Sequence, residues 1–276
     1  LRSGAGVRSA EELGMVRAPE PGGVRKRRGI YLLPNLLTTT GLLFGFSAIL
    51  LAIEQQFAMG AVSVFIAMVM DGLDGRVARL TNTQSDFGVQ YDSLSDMVCF
   101  GVAPAVLMFQ WALADLDQLG AAAGKLGWVG AFMFAACAAL RLARFNTQAG
   151  VADKRYFQGL PTPAAAAGLC SLVWFASSLG LEYDAMRLFA WVVTVLIALL
   201  MVSNFRFYSF KEFDFRYRVR FIVMVVLVLG LAFLALYPPF VLFLAFVVYA
   251  VSGPVLTILQ RRRHRQAAMR RSDADH

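Results

Sequence analysis

Asp71, Asp74, Asp92 and Asp96 interrupt a stretch that is otherwise apolar. They read D-G-L-D-G-R-V-A-R, then eight residues, then G-V-Q-Y-D-S-L-S-D. A carboxylate within a hydrocarbon-compatible segment is costly and marks a functional site by default. Four of them within 26 residues cannot all be ionised and close together without a cation. Oxygen-only ligands suit hard divalent ions, Mg²⁺ or Mn²⁺. Four carboxylates can hold two such ions, an arrangement suited to in-line displacement at phosphorus.

Helices must position these groups. At about 100° per residue, Asp71, Asp74, Gly75, Ala78 and Arg79 fall within one arc of roughly 140°. Gly88, Asp92 and Asp96 recur every four residues and form a second stripe. The linker from Thr81 to Phe87 is short and polar, which favours antiparallel neighbours whose stripes face each other. Gly75 and Gly88 remove side chains where a nucleotide or a neighbouring backbone must approach, and Arg79 can complement phosphate charge. The structural alternatives are that Asp74 pairs with Arg79 or Arg76 and that the glycines serve helix packing.

The composition makes those helices membrane helices. The 276 residues are 58% hydrophobic and the mean hydropathy is +0.61, above what a soluble domain of this length needs. Eight runs approach bilayer-spanning length: 31–53, 57–78, 92–113, 127–147, 161–180, 185–203, 218–236 and 240–259. The fold class predicted is an all-α polytopic membrane bundle. Of the 26 Lys and Arg residues, only Lys125 and Arg187 fall on one assigned side. The other side holds Arg25–Arg28, Arg141, Arg144, Lys154, Arg155, Arg206, Lys211, Arg216, Arg218, Arg220 and Arg261–Arg263. Positive charge marks the cytoplasmic side, so both termini and the aspartates are expected there. The net charge of +8 is then juxtamembrane, oriented toward anionic lipid. With no recognisable module beside it, nucleic acid is not an expected partner. Cys99, Cys137 and Cys170 lie in apolar runs without metal-ligand spacing and read as core residues. Residues 1–29 read as a flexible basic lead-in, 30–260 as one membrane domain and 261–276 as a basic tail, its polar end from 264 expected to be disordered. The chain opens at Leu1 rather than Met, as a fragment would. The apolar run after the basic cluster is longer than a signal-peptide core.

The pattern D-x-x-D-G-x-x-A-R-x8-G-x-x-x-D-x-x-x-D resembles the signature of the CDP-alcohol phosphatidyltransferases, with every fixed position matched. The resemblance implies that Asp71, Asp74, Asp92 and Asp96 ligate two divalent cations and that Asp96 also deprotonates the acceptor hydroxyl. It implies that Gly75, Ala78, Arg79, Ser85 and Gly88 meet the CDP-lipid. Asn35 and Thr38, in Pro34-Asn35-Leu36-Leu37-Thr38, occupy the place where the family brings its first core helix to the nucleotide. An interfacial helix start after Pro34 is the alternative for that segment.

Two further segments, Arg141-Leu142-Ala143-Arg144-Phe145-Asn146 and Phe157-Gln158-Gly159-Leu160-Pro161-Thr162-Pro163-Ala164, are similar to those of the membrane-embedded phosphatidylserine synthases. This implies CDP-diacylglycerol and L-serine as substrates, in a bacterial or archaeal cytoplasmic membrane. Serine carries a carboxylate, which needs a cationic partner. Arg141 and Arg144 can supply it, with Asn146 beside them; the alternative is that both arginines contact lipid phosphate. A glycerol 3-phosphate or inositol phosphate acceptor is the rival within the family. A cation-coupled transporter or a non-catalytic scaffold is the rival outside it, although inverted repeats expected of a transporter are missing. A homodimer is compatible with this reading.

Overall fold

The computed structural model describes residues 32–81, 83, 85–148, 156–181, 183–208 and 221–272. The lead-in 1–29 and the expected cytoplasmic Lys154, Arg155, Lys211, Arg216, Arg218 and Arg220 lie outside them. The remainder is an all-α bundle with one small β ribbon.

Helix α1 (Leu32–Ile53) and α2 (Phe57–Leu80) form an antiparallel hairpin whose turn contains Gln55 at φ 60°. The buried residues of α1, Pro34, Thr38, Gly41, Gly45, Ala48 and Ala52, recur at alternating four- and three-residue spacings. Small residues on this stripe let backbones approach closely, the usual means of packing helices where lipid supplies no hydrophobic contrast. Gly45 shows how close: an added Cβ would lie 2.5 Å from the Cys99 sulfur. The opposite face of α1 turns Leu36, Leu43, Phe46 and Leu50 outward, as a lipid-facing surface requires.

Helix α3 (Asp86–Asp96) opens one long rod. Ser85 caps it, its hydroxyl oxygen accepting from the Gly88 backbone N–H at 3.1 Å. With Asp86 in the first turn, the cap starts the helix six residues before the expected span at 92. The rod continues through a π-helical turn (Met97–Val102), α4 (Ala103–Met108), a second π turn (Phe109–Leu113) and a 3₁₀ turn ending at Leu119. Helix α5 (Ala121–Gln148) returns. Strand β1 (Tyr156–Gln158) precedes α6 (Thr162–Ser178), and β2 (Arg206–Tyr208) follows α7 (Tyr183–Val202). The strands pair antiparallel with Phe157 opposite Phe207. Gly159, at φ 78°, makes the corner into α6, where an added Cβ would lie 2.1 Å from the Met201 carbonyl oxygen. The expectation that Gly159–Pro163 shapes the entry to this helix is met.

Helix α6 is the central element, with Ala165, Ala166, Leu169, Cys170, Leu172 and Val173 all buried. Cys99, Cys137 and Cys170 are free and buried, as read from sequence. Helices α8 (Phe221–Leu236) and α9 (Pro238–Ser272) complete the described fold. The tail expected to be disordered from 264 instead continues α9 to Ser272. Its Gln, Arg, Ala and Met residues are good helix formers, and no Pro or Gly intervenes.

Five segments are long and apolar enough to cross a bilayer: Leu32–Ile53, Phe57–Leu80, Asp86–Gln118, Ala122–Thr147 and Pro238–Thr257. Met186–Val202 and Ile222–Leu236 are apolar but shorter, and α6 has 17 residues. At about 1.5 Å per residue α6 and α8 are a few ångströms shorter than the roughly 30 Å hydrocarbon core, while the 20 residues of α7 match it. Among the described residues, five of the eight expected spans thus meet that length and apolarity, and α6, α7 and α8 are helices at the other three positions.

Candidate active site

The buried stripe of α2, Phe57, Gly60, Val64 and Ala67, continues along the same face into Asp71 and Asp74. Across from it, α3 presents Asp92 and Asp96. Carboxylate oxygens of Asp71, Asp74 and Asp92 lie within 4.8 Å of one another. Asp96 is outside this triplet, but its side chain meets Asp71. All four line a small cavity of about 10 Å³ whose walls include Thr38, Ser95 and Cys99. Of the four expected ligands, the fold gathers three into one cluster and sets the fourth against its edge.

Helix α1 closes this cavity and brings no charge. Thr38 Oγ1 donates to Asp74 Oδ2 at 2.7 Å and lies 3.1 Å from its own helix carbonyl at Pro34. Ser95 Oγ donates to the Thr38 carbonyl at 3.4 Å. Asp74 is thus held by Thr38 rather than by Arg79, whose Nε donates to the Gly75 carbonyl at 2.8 Å.

A second cleft of about 210 Å³ shares the Asp74 and Asp92 wall. It brings together Asn35, Thr38, Gly75, Ala78, Ser85 and Gly88, six of the seven residues expected at the CDP-lipid. Arg79, the seventh, is exposed and does not line it. A Cβ built at Gly75 meets nothing within 4 Å, so packing does not demand glycine there and the space belongs to the cleft. At Gly88 a Cβ would lie 3.2 Å from Ser85 Oγ and 3.4 Å from Asn35 Oδ1, so that glycine also serves close packing.

The three acceptor candidates separate. Arg141 is buried at 9% exposure, and its Nη1 donates to Thr162 Oγ1 at 2.9 Å. Its Nε has no partner, and Asp96 and Tyr249 are within electrostatic reach. Arg144 is clamped at the ribbon, its Nη2 donating to Gln158 and to Asn204. Asn146 donates from Nδ2 to Ser93 Oγ at 3.0 Å, tying the end of α5 to α3 beside Asp92. Ser95 and Tyr249 were not singled out from sequence. Ser95 adjoins Asp96 in the motif, whereas nothing local marks Tyr249 on α9.

These residues fit a divalent cation. The cluster is all-oxygen, convergent and partly buried, and a neutral hydroxyl rather than a cationic side chain secures its most buried member. Such a set suits a hard divalent cation over thiophilic metals.

The sequence matches the family described as CDP-alcohol phosphatidyltransferase over residues 31–203. The chain belongs to the CDP-alcohol phosphatidyltransferase family. Its matched region runs from α1 to the end of α7 and holds every residue of the aspartate cluster. A relative in Helicobacter pylori named CDP-diacylglycerol–serine O-phosphatidyltransferase is 38% identical over 205 residues, 74% of this chain and 82% of that protein. A relative of the same name in Methanocaldococcus jannaschii is 33% identical over 195 residues, 69% of this chain and 80% of that protein. An archaetidylserine synthase of Methanothermobacter thermautotrophicus is 32% identical over 187 residues, 66% of this chain and 72% of that protein. This phosphatidyltransferase is an integral membrane enzyme, as its apolar helices require. Tyr249 lies outside the matched region, so the α9 contribution near Arg141 is an addition to the core that defines the family.

Proposed function

We propose that this enzyme transfers the phosphatidyl group of CDP-diacylglycerol to the hydroxyl of L-serine, giving phosphatidylserine and CMP, with two divalent cations (Mg²⁺ or Mn²⁺) held by Asp71, Asp74, Asp92 and Asp96. The membrane domain is residues 30–260, and the reaction takes place at the cytoplasmic face of a bacterial or archaeal membrane. The observation that carries this reading is the position of the carboxylate cluster, whose Asp74 and Asp92 line both the small cavity and the open cleft. The floor of the cleft at Gly75 is bare. The serine acceptor is supported by the names of the relatives, which have serine in common, and by Arg141.

In this reading Asn35, Gly75, Ala78, Ser85 and Gly88 surround the nucleotide while the acyl chains stay in lipid. Asp96, set apart from the triplet, accepts the proton of the serine hydroxyl. The serine oxygen forms a bond to the phosphorus that carries diacylglycerol, and the bond from that phosphorus to the CMP oxygen breaks. Arg141 turns its unpartnered Nε toward the serine carboxylate. Bound divalent cations would neutralise the diphosphate and stabilise charge on the transferring group. Arg144, already engaged by Gln158 and Asn204, shapes the site through the ribbon.

The deciding experiment supplies purified enzyme with CDP-diacylglycerol, Mn²⁺ or Mg²⁺, and in turn serine, glycerol 3-phosphate or inositol phosphate. CMP release with serine alone is expected. Release with glycerol 3-phosphate and none with serine would overturn the acceptor and leave the donor chemistry standing.

A further inference from the structure

Thr38 stands between the two halves of the aspartate motif although it is 36 residues from Asp74 in sequence. Its hydroxyl carries one proton and has two acceptors in reach, the Pro34 carbonyl at 3.1 Å and Asp74 Oδ2 at 2.7 Å. A charged acceptor at the shorter distance takes the proton, since hydrogen bonds to ionised groups are the stronger kind. Asp74 is the most buried member of the triplet, at 5% exposure. A buried carboxylate without a donor carries a desolvation cost that a neutral hydroxyl can offset without competing for charge. The Thr38 backbone carbonyl accepts from Ser95, next to Asp96, so α1 is tied to both carboxylate-bearing helices through one position.

We infer that Thr38 is a positioning residue for Asp74: its hydroxyl donates to Oδ2 and, together with the Gly75 backbone N–H that the same carboxylate accepts, sets the orientation in which Asp74 meets the cation. Thr38 then acts through the metal ligand rather than by contact with the nucleotide, although it lines the cleft as well as the cavity. The inference rests on the reading of the aspartates as a divalent-cation site. Partners that orient a metal ligand typically change metal affinity 10- to 100-fold when removed.

The test is a Mn²⁺ titration of the purified full chain followed by electron paramagnetic resonance, without substrate. Wild type, Thr38→Ser and Thr38→Val are compared. The Val variant keeps the shape and loses the donor. Its Mn²⁺ dissociation constant is expected to rise about 10- to 100-fold, with Thr38→Ser close to wild type. At saturating Mn²⁺, CMP affinity is expected to match wild type in both variants. Thermal unfolding in EDTA separates a packing role, which would lower the melting temperature of Thr38→Val without changing Mn²⁺ affinity. If wild type binds no Mn²⁺, the cation reading itself fails. If wild type binds and Thr38→Val binds equally well, the positioning role is wrong. Weakened CMP binding at unchanged Mn²⁺ affinity would make Thr38 a nucleotide contact instead. Should Thr38→Val not yield folded protein, Thr38→Ala removes the hydroxyl without adding bulk and is read by the same outcomes.

Discussion

Arg141 on α5 donates from Nη1 to Thr162 Oγ1 at the start of α6, 2.9 Å away, with both residues buried. This bond fixes the guanidinium plane, and the Phe145 ring 5.8 Å from its centre adds a cation–π contact. An arginine held at one nitrogen and unpartnered at Nε is prepared for a planar anion. Losing a charge-assisted contact to a bound carboxylate costs about 2–3 kcal/mol, roughly a 30- to 150-fold effect. Arg141→Ala is therefore expected to raise the KM for serine by that factor while the dependence on CDP-diacylglycerol changes far less. Arg141→Lys should recover part of the loss, because a point charge replaces a planar fork. Initial rates over a serine series check this; an unchanged serine KM in Arg141→Ala would remove the residue from the acceptor site.

Asp96 offers a different separation. It lies outside the triplet of Asp71, Asp74 and Asp92, so in Asp96→Asn the other three should still hold at least one cation and CMP binding should be largely kept. The loss of a general base is expected to lower turnover about 10²- to 10⁴-fold. Asp71→Asn, which removes a member of the triplet, should weaken Mn²⁺ and CMP binding together. Paired calorimetric titrations and turnover measurements test both variants. Near-normal turnover in Asp96→Asn would end its assignment as the base.

Chelation extends the same argument. Extraction with EDTA is expected to abolish CMP release, and Mg²⁺ or Mn²⁺ should restore it whereas Ca²⁺, larger and less demanding of geometry, should restore it poorly. Full activity after exhaustive chelation would contradict the cation reading.

The aspartate cluster was legible from sequence because charged groups in apolar segments stand out and helical period alone decides which share a face. The cleft residues were legible for the same reason, apart from Arg79, whose long side chain turned back to the Gly75 carbonyl. The division of labour between Arg141 and Arg144 was not legible. It depends on Thr162, Gln158 and Asn204, which reach the two arginines only after α6 and the ribbon have packed. Thr38 was noted as a polar residue near the nucleotide, yet its bond to Asp74 is a tertiary contact that no local pattern announces. Tyr249 was invisible for want of any motif on α9.

Gly45 tests how the α1 seam supports the site. A Cβ there would lie 2.5 Å from Cys99 Sγ and 3.0 Å from Cys99 Cα, and part of the clash is with backbone that cannot turn aside. Gly45→Ala is expected to separate α1 from the rod and destabilise by about 1–3 kcal/mol, as overpacking does. Cys99→Ala should relieve the sulfur contact and recover only part of the loss. The melting temperatures of the two single variants and the double variant in detergent measure this, and additive effects would show that the residues do not meet.

The side of the membrane follows from α5. Its 28 residues span about 42 Å at 1.5 Å per residue, more than the roughly 30 Å hydrocarbon core. Its two ends should therefore emerge on opposite sides. Asp117, just before α5, and Thr147, in its last turn, are both exposed, while Cys99, Cys137 and Cys170 are buried and should react slowly. The proposed orientation, with Lys and Arg concentrated at the Arg141–Arg144 end, puts that end in the cytoplasm. In intact cells a membrane-impermeant maleimide is expected to label Asp117→Cys and leave Thr147→Cys unlabelled until the cells are permeabilised. Because Asn146 reaches across to Ser93 beside Asp92, the result for Thr147 also reports the side on which the aspartates open. Labelling of Thr147→Cys from outside would reverse the assigned orientation, and labelling of both positions from one side would show that α5 does not cross.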